Sequence, residues 1–206
     1  MKNLPTLALA ALLSLTANAS SPAQSLPFKA PPGLCRVEPD RGGADERIWK
    51  INPFGTGDTL LLAAWIDCIA LDNIRVDDRS SPPTRGLSVV ELKRLPTHKP
   101  PIPEKLGEFV DALVARDKDR YTPLDRFRTE TTKGGSALIA HNRLAVYYGT
   151  RRVSPDGSLS GAVVSAYTMI GTRPIVVFNM TFRGRNYDDA LLAETKAMVE
   201  GLHNAP

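Results

Sequence analysis

The sequence has few of the residue types from which metal and cofactor sites are built. Its 206 residues include two cysteines and three histidines. The histidines, His98, His141 and His203, are scattered and form neither an HExxH motif nor an i, i+4 pair, and the cysteines lack CxxC spacing. The sequence therefore predicts no metal site and no cofactor.

An excess of one charge and a long hydrophobic run are also missing. The chain has 26 Lys and Arg against 22 Asp and Glu, a net charge of +4, and the two signs are interspersed. It lacks a basic arm of the kind that binds nucleic acid, so no nucleic acid partner is expected. No run approaches the ~20 apolar residues of a membrane-spanning helix, so we expect no integral membrane segment in the mature chain.

What is present begins with the pattern of a secretory signal. Lys2 precedes an apolar run over residues 7–15, and Ala17 and Ala19 supply the small residues that a signal peptidase recognises. The pattern predicts a signal peptide over residues 1–19. An ordinary buried N-terminal helix is the alternative interpretation.

The mature chain is expected to be a single domain outside the cytoplasm. Cleavage after Ala23 is an alternative to cleavage after Ala19. A flexible segment over residues 20–32 would precede one α+β domain over residues 33–206, a length that suits a single hydrophobic core. The expected location is the periplasm or the secreted fraction.

Cys35 and Cys68 are the two cysteines of the chain. An even count in an oxidising compartment predicts a disulfide between them. The bond would tie the N-terminal segment to the core.

Residues 160–183 show the clearest strand pattern in the sequence. Two alternating segments are joined at residues 171–174, where Gly171 can adopt a positive φ and Pro174 would open the second strand. Side chains alternate along a strand, so each segment has two faces. One face carries Val163, Ser165, Tyr167 and Met169 from the first segment, and one carries Val176, Phe178, Met180 and Phe182 from the second.

Two amphipathic helices are predicted from apolar residues at helical spacing. One follows the hairpin and is capped by Asn186 or Asp188, and the other starts at Pro103 and Glu104. The second ends in residues 116–120, whose alternating charges we interpret as a solvated last turn rather than a binding patch. The first stripe comprises Leu191, Leu192, Thr195, Met198, Val199 and Leu202, and the second comprises Leu106, Phe109, Val110, Leu113 and Val114.

The apolar run over residues 60–71 is ambiguous between a buried strand and a buried helix. Its position between a Gly-rich loop and an Asp-Asn turn favours a strand, although its Leu and Ala content suits a helix. Asp67 within the run is expected at an edge or in a hydrogen-bonding role, with a site carboxylate as the alternative.

The order of elements favours an α+β fold, an antiparallel sheet with helices packed on it, because strands and helices do not alternate regularly. Residues 121–133 are polar and Thr-rich and carry no predicted element. Further predicted elements are strands over residues 87–95, 136–140 and 143–151, a turn at His141 and Asn142, and a short helix over residues 44–49.

The chain resembles the PsbP-like and DcrB-like exported domains. The features that carry the resemblance are an export signal, a Gly-Leu-Cys opening, a helix after a proline loop, and the segments MIGTRPIVVFNMTF and YDDALLAETKAMVEGL. The resemblance implies an α/β/α sandwich around an antiparallel sheet. It also implies a non-catalytic fold used in binding or assembly, with no catalytic residues to assign.

Searches for catalytic motifs give little. Gly134-Gly135-Ser136 lacks the Lys of a phosphate-binding loop, and Leu159 stands where a GxSxG motif has its serine. A small hydrolase remains an alternative, with Ser136 as nucleophile and His141 as base, near Asp125 or Glu130.

We therefore expect a non-catalytic binding or assembly protein whose partner is another protein or an envelope component. An inhibitor or immunity protein is a further alternative, and residues 97–104 would form its inserted loop. Arg and Tyr are enriched where interfaces concentrate their binding energy. The candidate interaction residues are Tyr147, Tyr148, Arg151, Arg152, Arg173, Arg183 and Arg185.

Overall fold

A computed structural model describes residues 28–55, 57–78, 80–93, 102–130, 135–153, 156, 159–182 and 189–204. Within these ranges the chain forms one antiparallel sheet and five α-helices. The strands are β1 Leu34–Arg36, β2 Thr59–Asp67, β3 Arg85–Leu92, β4 Gly135–His141, β5 Val146–Val153, β6 Leu159–Ile170 and β7 Arg173–Phe182. The helices are α1 Gly43–Lys50, α2 Cys68–Arg75, α3 Leu106–Asp117, α4 Leu124–Glu130 and α5 Asp189–Asn204.

The hairpin of β6 and β7 lies at the centre of the sheet, whose strand order is β1-β2-β3-β7-β6-β5-β4. The two strands pair from Gly161 opposite Phe182 to Ile170 opposite Arg173. Gly171 in the turn has φ of 62°, a conformation that glycine adopts without steric cost. The predicted hairpin is confirmed, and its second strand begins at Arg173, one residue before Pro174.

Helices cover both faces of the sheet, so the predicted α+β fold with helices packed on the sheet is confirmed. The face with Val164, Ala166 and Val177 packs against α5 and α4. The opposite face packs against α3 around Met169 and against α1 around Val176. The alternation predicted for the hairpin therefore matches the two layers.

The predicted stripe of α5 is confirmed, because all six of its residues are buried. The predicted caps Asn186 and Asp188 lie outside the described residues. In α3 the residues Phe109, Val110 and Leu113 are buried, and the helix begins at Leu106, later than the predicted start at Pro103. The predicted short helix of residues 44–49 corresponds to α1.

The run over residues 60–71 is strand and helix in turn, so its prediction as one strand is corrected. The strand ends at Asp67, and α2 begins at Cys68. Asp67 has the predicted hydrogen-bonding role: its Oδ2 accepts from the Thr84 and Arg85 backbone N–H groups at 2.6 and 2.7 Å and from Thr84 Oγ1 at 2.9 Å. These bonds fix the end of β2 against the start of β3, and the chain then turns away as a helix.

A second correction concerns residues 121–133, which contain α4. Phe127 is fully buried against the α5 face of the sheet. A helix of this length with one buried aromatic residue produces no repeating apolar pattern, so the sequence gives no helical signal there.

The predicted disulfide joins Cys35 in β1 to Cys68 at the start of α2, across 33 residues of sequence. The bond is consistent with an oxidising compartment outside the cytoplasm. No helix in the described part of the chain combines the length and apolar character needed to cross a membrane.

The C-terminal end of α5 is fixed by one hydroxyl. Thr168 Oγ1 donates to Leu144 O at 2.6 Å and lies 2.8 Å from His203 Nε2. Because the single hydroxyl hydrogen is used on Leu144, His203 Nε2 is the donor in the second bond. Burial lowers the pKa of His203.

Replacing both cysteines with serine should lower the free energy of unfolding by about 3 to 4 kcal/mol, because the unfolded chain regains the entropy that the closed loop removes. Urea unfolding followed by circular dichroism measures the change. A reductant should destabilise the wild type by a similar amount and leave the double variant unchanged. Equal midpoints for wild type and variant would contradict the prediction.

Stability should rise with pH between about pH 5 and 7, because the unfolded chain binds a proton at His203 more readily than the folded protein does. The stabilisation is complete above the unfolded pKa of ~6.5 and is lost as the pH falls toward the lowered folded value. Thermal unfolding of His203→Gln should show a flatter dependence. His141→Gln changes an exposed histidine at the end of β4 and should keep the wild-type slope.

Candidate functional site

A groove opens along one edge of the sheet because β1 is much shorter than β2. In the described part of the chain, the last main-chain bond from this segment to β2 runs from Val37 N–H to Ala64 O at 2.9 Å. The chain then leaves the sheet through a 3-10 turn, Pro39–Arg41. We call the resulting space the edge groove. It has a volume of about 710 Å³ and is lined by Arg36, Val37, Glu38, Pro39, Asp40, Arg41, Trp49, Leu60, Leu61 and Leu62.

The backbone of β2 directs polar groups into the edge groove. Lys93 N–H donates to Asp58 O at 2.8 Å, so the chain faces β3 at residue 58. Main-chain groups in an antiparallel strand point alternately to its two sides. Leu61, three residues on and before the bulge between Leu61 and Ala63, therefore turns its N–H and C=O toward the edge groove.

The side chains around the edge groove are apolar near the strand and charged at the rim. Leu60 is 44% exposed, although it belongs to a strand, and Trp49 of α1 is half-buried. The rim carries charges of both signs, because Arg36, Arg41, Glu38 and Asp40 are all exposed. The groove thus combines a main-chain edge, two apolar contacts and a mixed-charge rim.

A buried ion pair holds the outer wall of the edge groove in place. Asp45 of α1 is 1% exposed and accepts two hydrogen bonds from Arg75 of α2, each at 2.8 Å. Asp45 Oδ2 also accepts from the backbone N–H of Glu38, in the groove wall, at 2.9 Å. The hydrogen bond from Arg75 is the largest cause that holds the pKa of Asp45 below its usual value, and it outweighs the opposing effect of burial.

A second charged cluster lies on the other half of the sheet, where α3 ends. Asp117 Oδ2 accepts from Tyr148 Oη at 2.6 Å and from Arg116 Nη2 at 2.6 Å, and Arg120 Nη1 lies 3.9 Å from its Oδ1. Burial raises the pKa of Asp117, but the bonds from Arg116 and Tyr148 outweigh it and the pKa is lowered. Burial also raises the pKa of Tyr148, and the nearby Asp117 adds to that effect.

This cluster corrects the interpretation of residues 116–120 as a solvated last turn. Asp117 is 5% exposed and is the anion around which the cluster forms. Arg116 and Arg120 remain 52% and 63% exposed, so the cluster presents two cations to solvent.

The predicted interaction residues do not form one surface. Tyr147 is fully buried, and burial raises the pKa of its hydroxyl to about 12. Tyr148 belongs to the Asp117 cluster. Arg173 pairs with Glu91 across the sheet, with Nη2 and Oε2 2.6 Å apart.

The remaining arginines are placed differently. Arg151 is half-buried and Arg152 is exposed, both near the end of β5. Arg183 and Arg185 lie outside the described residues. Interaction roles for these residues stay a prediction.

The structure does not bring the residues of the hydrolase hypothesis together. Ser136 and His141 lie near opposite ends of β4, five residues apart, which is about 16 Å along a strand. Ser136 Oγ accepts from Thr150 Oγ1 at 3.1 Å, and His141 pairs with Val146. Asp125 is exposed on α4, and the side chain of Glu130 lies outside the description.

Other sites have little support in the described part of the chain. No three His, Cys, Asp or Glu side chains there stand close enough to hold a metal ion. Residues 97–101 of the predicted inhibitor loop lie outside the described ranges. A smaller cavity of about 330 Å³ lies beside Cys68 and is lined by Gly33, Asp67, Cys68, Ile69, Ala70, Ser81, Pro82 and Thr84.

Sequence reasoning did not find the edge groove or the ion pair that supports it. Asp45 lies in a short charged stretch that is typical of an exposed helix, and Arg75 is 30 residues away. A partner so distant leaves no local pattern. The length of β1 likewise depends on where the chain turns at Pro39.

Asp45→Asn should lower the free energy of unfolding by about 3 kcal/mol, because it leaves the partly buried guanidinium of Arg75 without its anion. The contribution of Asp45 is complete above the unfolded pKa of ~3.9 and is lost as the pH falls toward the lowered folded value, so the variant should lose part of the wild-type acid sensitivity. Urea unfolding at pH 3 to 7 measures both effects.

The matched control for Asp45→Asn is Asp72→Asn. Asp72 contacts the same Arg75 at 3.3 Å but is 71% exposed. Exposed ion pairs contribute little, so this variant should change stability by less than ~1 kcal/mol. Equal losses in both variants would contradict the role assigned to the buried pair.

Comparison with known proteins adds no assignment to this geometry. No protein-family model matches the chain, and no curated protein matches it. The resemblance to PsbP-like and DcrB-like domains therefore stays a prediction.

Proposed function

We propose that this protein is an exported, non-catalytic binding or assembly protein that holds a partner protein of the cell envelope in the edge groove. It acts in the periplasm or outside the cell. The observation that carries the proposal is the edge groove itself, an open stretch of β2 flanked by Leu60 and Trp49 under a charged rim.

The two edges of the sheet support this choice by their contrast. At the far edge, Thr122 N–H donates to Leu138 O at 2.8 Å and Tyr121 forms a bridge to Leu138, so a neighbouring segment contacts β4. Proteins usually cover or shorten their edge strands, because an open edge invites pairing with other chains. The first half of β2 keeps an apolar open edge, which suits a surface that meets a partner.

The N-terminal pattern and the disulfide support the proposed location. A signal peptide over residues 1–19 would carry the chain to an oxidising compartment, and the bond between Cys35 and Cys68 forms in such a compartment. The resemblance to PsbP-like and DcrB-like domains supports a role in binding or assembly.

Leu60→Lys should abolish partner binding, because a lysine on an edge strand opposes docking of another chain. Tagged wild-type and variant proteins are produced in the organism that encodes them, cross-linked in the intact envelope and recovered for quantitative mass spectrometry. A partner enriched with the wild type should decrease at least ~10-fold with the variant, since 10-fold corresponds to about 1.4 kcal/mol.

Val76→Lys is the matched control, because Val76 is 75% exposed and does not line the edge groove. It should retain the partner, and both variants should melt like the wild type. Equal recovery with Leu60→Lys would place binding elsewhere, and the absence of any enriched partner would contradict a binding function.

A further inference from the structure

We propose that the edge groove binds an extended peptide segment of its partner as an added strand beside β2. This inference rests on the proposed function and specifies how the partner is held. The segment would lie where β1 would have continued beyond Val37, had the chain not turned at Pro39.

The main chain of β2 supplies the first reason. Leu61 turns its N–H and C=O to the edge groove, as the bond between Lys93 and Asp58 requires. A folded helix has already satisfied its own main-chain groups, whereas an extended segment offers both a donor and an acceptor at the spacing of a strand. Strand addition of this kind derives affinity from the main chain.

The length of the open edge limits the added strand. Ala64 is the last residue of β2 bonded to the β1 segment, and β2 begins at Thr59. Five residues of strand span about 16 Å, enough for a segment of four or five residues. The extra residue Leu62 interrupts the ladder, so pairing is centred on Leu61.

The apolar contacts indicate which side chains the segment carries. Leu61 packs into the face of the sheet that α1 covers, and Leu60 points to the opposite face. Trp49 also belongs to the α1 side. An incoming strand would therefore meet an apolar contact on each face, which suits two consecutive apolar residues.

The rim indicates the flanking residues and excludes a bulkier occupant. Arg36 and Arg41 alternate along the chain with Glu38 and Asp40, so charged residues of both signs on the segment find a partner. The Pro39–Arg41 turn stands beside the edge and forms the outer wall of the groove. A single peptide enters such a groove, whereas the edge of a second copy of the sheet would meet the wall.

The probe is a display library of random twelve-residue peptides, selected on the disulfide-bonded chain beginning at residue 20. We expect selected peptides with two adjacent apolar residues and charged flanks. On saturation with such a peptide, amide exchange at Leu61, followed by NMR, should slow at least ~10-fold. This factor corresponds to about 1.4 kcal/mol, within the range of one net hydrogen bond.

N-methylation of the peptide backbone tests the pairing directly. Methylation at alternate positions should weaken binding at least ~10-fold, and methylation at the positions between should change it less than ~3-fold, because only every second amide faces β2. Leu60→Lys should abolish binding and Val76→Lys should preserve it.

Three results would overturn the inference. Peptides that compete at the groove without slowing Leu61 exchange would leave the proposed function standing and exclude strand addition. A Leu61 amide already protected before peptide is added would show that another part of the chain, such as residues 20–27, fills the groove. Failure to select any peptide that is sensitive to Leu60→Lys would exclude an extended ligand.

Discussion

The central hairpin imposes the main constraint on this fold, because both of its faces are apolar. Val164, Ala166 and Val177 point one way, and Met169 and Val176 point the other. A two-stranded hairpin cannot cover either face by itself, so strands must extend it sideways and helices must cover it above and below. The positions of α5 on one side and of α1 and α3 on the other follow from this requirement.

Much of this architecture could be predicted from residues close together in the sequence. The alternation in β6 and β7 and the helical spacing in α3 and α5 are local patterns that match the local geometry. The disulfide followed from the count of cysteines and the expected compartment. In each case one short-range regularity was sufficient.

The parts that could not be predicted depend on distant contacts. The strand within residues 60–71 ends at Asp67 because the start of β3 donates to its carboxylate. Asp117 is buried because Tyr148, thirty-one residues further along, donates to it. The edge groove has the same origin, since its wall depends on the pair between Asp45 and Arg75.

The disulfide has a consequence for recognition. Every residue that lines the edge groove, from Arg36 to Leu62, lies between Cys35 and Cys68. Both walls therefore belong to one covalently closed ring of chain, so they cannot move apart freely even when the surrounding structure loosens. A site confined in this way is ordered before its ligand arrives, and less conformational entropy remains to be lost on binding.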